Sequence, residues 1–467
     1  MSNLCKTTLC TTVQNSVSSV IADCDTTDIL FSSVSVDKIE PTNRISRAIF
    51  DDLPDASAFP NGHVAYLDDA KVPVIASNGT WIGLDGRIVG SFNSSCLYSW
   101  GINDFGQLGH GTTLVRTTGP RREMCSATDW CQVSAGRYNS FAIKTSGELW
   151  AWGSGSSGRN GNGTTTSRCS PVREFCSATD WCQVSTNGNI TSAVKTSGQI
   201  WAWGSNSCGA IGDGTTAERC SPVREFCSAA DWCQVSSGGN STMAIKTSGQ
   251  IWGWGRNCCG QIGDGTTVNR CSPVRERCSA TDWCQVSSGV EHVAAIKTSG
   301  QIWSWGFNGT SARLAIGSPL PTGSCSPVRE FCSATDWCQV SAGFEHVMAI
   351  KTSGQLWGWG YTRCGALGDG TAGTDRCSPV REICSATNWC QVSAGFGAVT
   401  NSSHTAAVKT DGTLWAWGFG ICGKLGDGYT TSKCSPVREN LSLTNWCQVS
   451  ATFCHTIGLT TRSIVCR

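Results

Sequence analysis

Along most of this chain apolar and small polar residues alternate in short runs, and each run ends in a turn. From Trp232, W-C-Q-V-S-S forms one run, S-T-M-A-I-K a second, I-W-G-W-G a third and C-S-P-V-R-E a fourth. A period of two sends successive side chains to opposite faces, so each run predicts a strand. In the third run Trp252 and Trp254 share one face, with Ile251 and Gly253 on the other. K-T-S-G-Q, between the second and third runs, predicts a hairpin with Gly249 free to take a positive φ, and G-D-G-T-T predicts a further turn. Pro273 confines the fourth run to a sheet edge. No helical stripe is longer than a few residues. Four short antiparallel strands in about 51 residues make a propeller blade.

The unit recurs. The tryptophan before the glycine of W-x-W-G falls at Trp100, Trp152, Trp203, Trp254, Trp305, Trp359 and Trp417, at intervals of 52, 51, 51, 51, 54 and 58 residues. W-C-Q-V-S begins at Trp130, Trp181, Trp232, Trp283, Trp337, Trp389 and Trp446, interleaved with the first series. A solenoid would need distinct capping repeats, which are absent. The last copy supplies W-C-Q-V-S and H-T-I-G-L-T-T and then runs out, whereas the first W-G element, Leu97–Gly101, has no full unit before it. One blade is therefore shared, with strands of 446–467 laid against Leu97–Trp100, which leaves no free edge in the ring. The prediction is an all-β chain: a seven-bladed β-propeller of four-stranded blades over 93–467, closed by pairing of N- and C-terminal strands. Residues 1–92 form a separate, small β-rich or extended region. The seven W-G tryptophans are assigned to packing between adjacent blades, since indole is a large, stiff wedge between twisted sheets.

Composition adds a puzzle about compartment. The formal net charge is +1, so no global field draws nucleic acid or anionic membrane to the chain. No apolar run is long enough to span a bilayer. The chain carries 30 cysteines, yet M-S-N-L-C-K-T-T-L-C lacks the layout of a secretory signal. A particle made in the cytosol and released by lysis would reconcile the two.

Catalysis finds no support. His292, His346, His404 and His455 occupy one repeat position, where other copies place Asn139, Ile190 and Ser241, so the position is a structural slot. His63 and His110 stand alone. Zinc-type C-x-x-C pairs are missing, each G-D-G turn has one carboxylate, and no nucleophile elbow or P-loop occurs. G-x-G-x-x-G at Gly153–Gly158 and Gly368–Gly373 has no helix to follow and reads as turn glycines. No catalytic residue, cofactor or metal site is assigned. The cysteines carry more information. Cys125/Cys131, Cys176/Cys182, Cys227/Cys233, Cys278/Cys284, Cys332/Cys338 and Cys384/Cys390 recur as C-x5-C, with Leu441 replacing the first member in the seventh copy and leaving Cys447. A second set, Cys208, Cys259, Cys364 and Cys422, is accompanied in each repeat by a cysteine before Ser-Pro-Val: Cys220, Cys271, Cys377 and Cys434. Joint appearance makes both sets candidate disulfides, with connectivity open.

L-Y-S-W-G-I-N-D-F-G-Q-L-G-H-G-T (97–112) and L-W-G-W-G-Y-T-R-C-G-A-L-G-D-G-T (356–371) resemble the repeats of the regulator of chromosome condensation. The resemblance spans roughly 96–467 and implies a seven-bladed ring. The nucleotide exchange on a small nuclear GTPase known in that family is not carried over, because the regular intervals leave no room for an inserted wedge of strands. P-V-I-A-S-N-G-T-W-I-G-L-D-G (73–86) resembles linker and attachment segments of bacteriophage tail fibres. That likeness implies a non-enzymatic virion protein: 1–92 binds other virion proteins, as in a homotrimer, and the propeller faces outward toward a host-surface receptor or glycan. The alternative is a cellular protein-interaction scaffold, with GTPase exchange as its variant.

Overall fold

The computed structural model describes residues 95–461, apart from 114–115, 310, 319–321, 362 and 397–402, together with the backbone of four earlier strands. It divides into two units, Met1–Ser94 with Arg462–Arg467, and Ser95–Thr461. In the first, Arg44–Ala48, Val64–Leu67, Val72–Ser77 and Thr80–Gly83 make one four-stranded sheet in chain order. Its first pair is parallel and the other two are antiparallel. Of the attachment-like segment 73–86, the backbone of Val72–Ser77 and Thr80–Gly83 falls in this sheet, and the rest of 1–92 lies outside the described residues.

Ser95–Thr461 is a ring of seven four-stranded sheets, six of them in chain order. In the fourth blade Trp232–Ser237 is innermost, followed outward by Ser241–Lys246, Ile251–Gly255 and Arg270–Arg275. The first blade is the clasp. Trp446–Ala451 and His455–Thr461 come from the C-terminal end, and Ser95–Gly101 and Thr117–Arg122 from the N-terminal end. Its two halves pair antiparallel from His455 opposite Gly101 to Thr461 opposite Ser95. Among the described residues no helix is long and apolar enough to cross a membrane.

The apolar core lies between blades. Seven clusters of buried residues each straddle one seam of the ring. At the seam of the third and fourth blades, Val194 and Ile200 pack on Trp232, Val235, Ala244 and Trp254. The seven W-G tryptophans are fully buried. Six donate their indole N–H to a loop carbonyl of the preceding blade, as Trp203 does to Arg159 and Trp100 to Lys424, both at 2.9 Å. The glycine after each tryptophan is forced by crowding. Gly204 has φ +105, and a Cβ there would meet the Asn189 carbonyl at 2.4 Å.

A second device closes the ring at its inner edge. The glutamine of each W-C-Q-V-S strand accepts, through Oε1, the backbone N–H of the valine in the next blade, from Gln132 with Val184 to Gln448 with Val133. Two residues on, each serine Oγ accepts a second N–H from the same neighbour, from Ser134 with Thr186 to Ser450 with Ala135. Inner strands of different blades have no shared ladder, so these side chains satisfy inward backbone donors that would otherwise be orphaned.

Candidate interaction face

Antiparallel strands give every blade two ends. At one end lie the K-T-S-G hairpins and the turns that lead from an outer strand to the next inner strand. In the turn before Trp232, Glu225 is almost fully buried. Its Oε2 accepts the N–H of Cys227 (2.6 Å), and its Oε1 accepts those of Ala229 (2.6 Å) and the Trp232 indole (3.3 Å). Ser228 turns the chain at φ +53, and Arg224 donates to its carbonyl. Lys246 from the adjoining hairpin pairs with Asp231 (3.0 Å) and lies 4.9 and 5.3 Å from the ring centres of Trp232 and Trp252. A glutamate holds the same turn before each of the other inner strands: Glu123, Glu174, Glu276, Glu330, Glu382 and Glu439.

The opposite end has no such uniformity. The loops from first to second strand read G-R-Y, G-N, G-G-N, G-V-E, G-F-E, a longer G-F-G-A-V-T-N-S-S, and T-F-C. Near the clasp, the Arg137 guanidinium lies 5.1 Å from the Tyr138 ring and 5.6 Å from that of Phe453. Tyr138 also contacts Phe105 at 5.1 Å between ring centres. Buried beneath them, Lys424 donates to the Phe453 carbonyl at 2.8 Å, and desolvation pulls its pKa down to about 8. Between the fourth and sixth blades the loops are acidic and basic together. Arg313 pairs with Glu345 at 2.8 Å and Glu291 at 3.7 Å, and Arg256 pairs with Glu291 at 3.4 Å. On the axis a cavity of about 140 Å³ is lined by the seven inner-strand serines, Ser134 to Ser450, with Asn187 and Phe396. Those hydroxyls already accept backbone N–H groups, which leaves a polar channel rather than a set of reactive groups.

The histidines of the repeat slot are fully buried. Three of them bridge to a hydroxyl on the following blade: His346 to Thr405 (3.0 Å), His404 to Thr456 (2.8 Å) and His455 to Ser140 (2.7 Å). In the next blade, His292 meets a unit with Val347 where the others have a hydroxyl, and neither of its ring nitrogens has a partner. Burial holds His346 down at about 4 and His455 at about 3, and pushes His292 and His404 well below the usual range. His110 bonds Ser99 at 3.0 Å, and His63 lies outside the described residues. The G-D-G carboxylates serve the fold. Asp213 accepts from Thr215 (2.7 Å) and pairs with Arg219 (2.6 Å), and its pKa is lowered by those bonds despite its burial.

Among the described residues no sulfur–sulfur bond joins the cysteines of either candidate set. The C-x5-C pairs Cys125/Cys131, Cys176/Cys182, Cys227/Cys233, Cys278/Cys284, Cys332/Cys338 and Cys384/Cys390 are not joined as disulfides. The two members of each pair sit in different environments. The first sits exposed in the glutamate-held turn, where its own N–H is taken by the carboxylate, as at Cys227. The second lies on the inner strand and engages the blade's own backbone or the core. Cys131 Sγ donates to the Lys144 carbonyl at 3.4 Å, Cys182 to Val194 at 3.3 Å and Cys284 to Ile296 at 3.4 Å. Cys338 and Cys390 donate likewise to Ile350 and Val408, both at 3.4 Å. Cys233 packs against the apolar cluster at the seam of the fourth and fifth blades, and Cys284 against that of the fifth and sixth. The second set, Cys208/Cys220, Cys259/Cys271, Cys364/Cys377 and Cys422/Cys434, is likewise not joined by sulfur–sulfur bonds.

Cys258, Cys259 and Glu291 bring three metal-type ligand atoms within 4.8 Å of one another. Two arginines already hold that carboxylate, and Arg256 Nε donates to Cys258 Sγ at 3.1 Å, so the group is neutralised internally.

Comparison with known proteins decides the lineage. The RCC1-like domain matches residues 91–401. The chain belongs to the RCC1-like domain family. Its relatives include the ultraviolet-B receptor UVR8 of Arabidopsis thaliana, 30% identical over 74% of this chain and 78% of that protein. The mitochondrial RCC1 domain-containing protein RUG3 of the same plant is 26% identical over 74% of this chain and 82% of its own length. Human E3 ubiquitin-protein ligase HERC2 is 25% identical over 73% of this chain, which amounts to only 7% of the ligase. Among solved structures, yeast RCC1 (Prp20) bound to Kap60 superposes with a TM-score of 0.70 at 17% identity, over 80% of this chain and 90% of Prp20. Human WBSCR16 gives 0.68 at 18% identity, over 79% and 100%. At such identities these structures speak for the fold alone.

For this RCC1-like propeller the virion reading is overturned. Its relatives are cellular proteins: a plant photoreceptor, a mitochondrial protein and a ubiquitin ligase. The virion location, the virion partners of 1–92, the trimer that went with them and the host receptor or glycan fall together. The misreading has a physical source: a short Gly- and Asn-containing turn segment such as 73–86 suits many β-rich linkers and names no partner.

Proposed function

We propose that this RCC1-like propeller is a non-enzymatic protein-interaction scaffold, and that its partner docks on the loop face. One observation carries the reading. The hairpin end is built from the same residues blade after blade, whereas the loop end changes in every blade and, near the clasp, brings Phe105, Arg137, Tyr138 and Phe453 together. A repeated structure needs its shared residues for folding, and the positions free to differ are those available for recognition. Arg137, Tyr138, Phe105 and Phe453 supply the aromatic and arginine chemistry favoured at the centre of protein interfaces. The names of the relatives, a receptor and a ligase component among them, support a role in binding without transferring any partner.

The test is quantitative proximity labelling in cells with the whole chain, comparing Arg137→Glu/Tyr138→Ala with Lys246→Ala on the hairpin face. A partner set lost in the first variant and kept in the second is the expected result. Equal partner sets in both variants would move recognition away from the loop face.

A further inference from the structure

The loop cysteines and the outer-strand cysteines belong to opposite sides of a blade. After W-G, each chain segment folds toward the next blade and packs on that blade's outer strand. A Cβ on Gly209, which follows Cys208, would stand 2.6 Å from Cys271 Cα and 2.8 Å from its Sγ. Gly260, which follows Cys259, meets Cys325 at the same two distances. Gly365, which follows Cys364, meets Cys434 at 2.5 Å (Cα) and 2.9 Å (Sγ). Backbone bonds fix the contact: Gly214, Gly265 and Gly370 donate to the carbonyls of Cys271, Cys325 and Cys434 at 2.9, 2.8 and 3.0 Å. Neighbouring Cα atoms are about 3.8 Å apart, so each cysteine pair is within about 8 Å, next to the disulfide range. Cys220, by contrast, lies against Gly158 of the preceding blade, on the far side of its sheet from Cys208.

We propose that Cys208–Cys271, Cys259–Cys325 and Cys364–Cys434 are redox staples between adjacent blades, replacing the within-repeat pairings expected from the sequence. The Cys434 thiol is close enough to help burial raise the pKa of Cys364. The remaining seams carry one thiol each. Cys169 and Cys220 face loops with Phe105 and Ser157 at the cysteine position, and Cys422 faces Thr118 through Gly423. Formation is by exchange with a small-molecule disulfide such as glutathione disulfide. One protein thiolate attacks it, forming a mixed disulfide and releasing one glutathione. The partner thiolate then displaces the second glutathione, so two electrons and two protons pass to glutathione for each staple. Staples at these seams bind the third, fourth and fifth blades into one block and the sixth and seventh into another.

The experiment treats the whole protein with glutathione disulfide, blocks residual thiols with N-ethylmaleimide and maps non-reduced tryptic peptides. Five outer strands give the identical peptide CSPVR, so single variants make the assignment. The cross-link joining CGALGDGTAGTDR (364–376) to CSPVR is expected in the parent, absent in Cys434→Ser and retained in Cys377→Ser. Thr118→Cys is expected to create a new link from TCGPR to the Cys422 peptide, at a seam that has none in the parent. Loss of the first cross-link in Cys377→Ser but not in Cys434→Ser would restore the within-repeat pairing and overturn the proposal. So would the absence of both cross-links.

Discussion

The two ends of the ring are made from the same strands yet obey different constraints. At the hairpin end every blade spends a glutamate, an arginine and a tryptophan on one turn, six of the seven add a lysine where the clasp has Thr460, and the turn before Trp232 is the turn before Trp389 with few changes. At the loop end neighbouring blades offer G-R-Y and G-V-E at corresponding places, and Arg137 beside Tyr138 has no equivalent elsewhere. A buried carboxylate that holds several backbone donors tolerates no substitute, whereas a loop bounded by solvent does. Internal repetition thus separates positions fixed by the framework from positions free to differ, without any second sequence.

The comparison breaks most severely if the ring opens. A chain ending at Val437 lacks Trp446, Val449, Ile457 and Leu459, which belong to the cores on both sides of the clasp. Its loss is expected to exceed the ~5–15 kcal/mol that holds a typical domain together, leaving no cooperative melt in calorimetry. A truncated chain that melts like the parent would refute the clasp.

Acid comes next, and it acts through the loop end, where the slot histidines sit. Folded, they stay neutral with pKa values lowered to about 4 in His346 and about 3 in His455. Unfolded, they titrate near 6.5. Below that pH the unfolded chain binds more protons, so stability falls as pH drops from 6.5 toward the folded values, by up to about 1.4 kcal/mol per pH unit for each histidine. Urea midpoints at pH 7 and pH 5 check this. His404→Asn, which copies Asn139 of the second blade, is expected to flatten the slope, and an unchanged slope would remove the histidines as its cause.

On the hairpin face Glu225→Ala leaves three donors without an acceptor and is expected to cost about 3 kcal/mol or more in urea unfolding. The smallest effect belongs to the loop face: Arg137→Glu with Tyr138→Ala is expected to change stability by about 1 kcal/mol or less. A loss there matching that of Glu225→Ala would erase the distinction between the two ends.

Much of this architecture was legible in the sequence. Alternation placed the runs beginning Trp232, Ser241 and Ile251 on the strands that form, and the incomplete first and last repeats showed where the ring closes. The inter-blade roles of Gln234, Ser236 and Glu225 were not read, although each recurs in all seven copies. An uninterrupted polar residue inside a buried strand or turn was the available signal. Its partner could not be read because it lies about fifty residues away, on another sheet. Cysteine connectivity was obscured for the same reason: Cys208 and Cys220 are close along the chain but fold onto opposite sides of their blade. Joint recurrence of Cys227 and Cys233 places one cysteine in a glutamate-held turn and the other against an apolar seam. The proposed docking face had only its variability to announce it.

The belt of glutamine and serine bonds treats the clasp like any other seam: Gln448 and Ser450 reach Val133 and Ala135 just as Gln183 and Ser185 reach Val235 and Ser237. The ring therefore has no privileged starting point. Thr461 and Ser95 lie opposite each other in adjacent strands, within reach of a short connecting turn. With those ends joined, the chain could be cut in any glutamate-held turn and still present the same circle of contacts, so the order in which the blades are written is a matter of history rather than of mechanics.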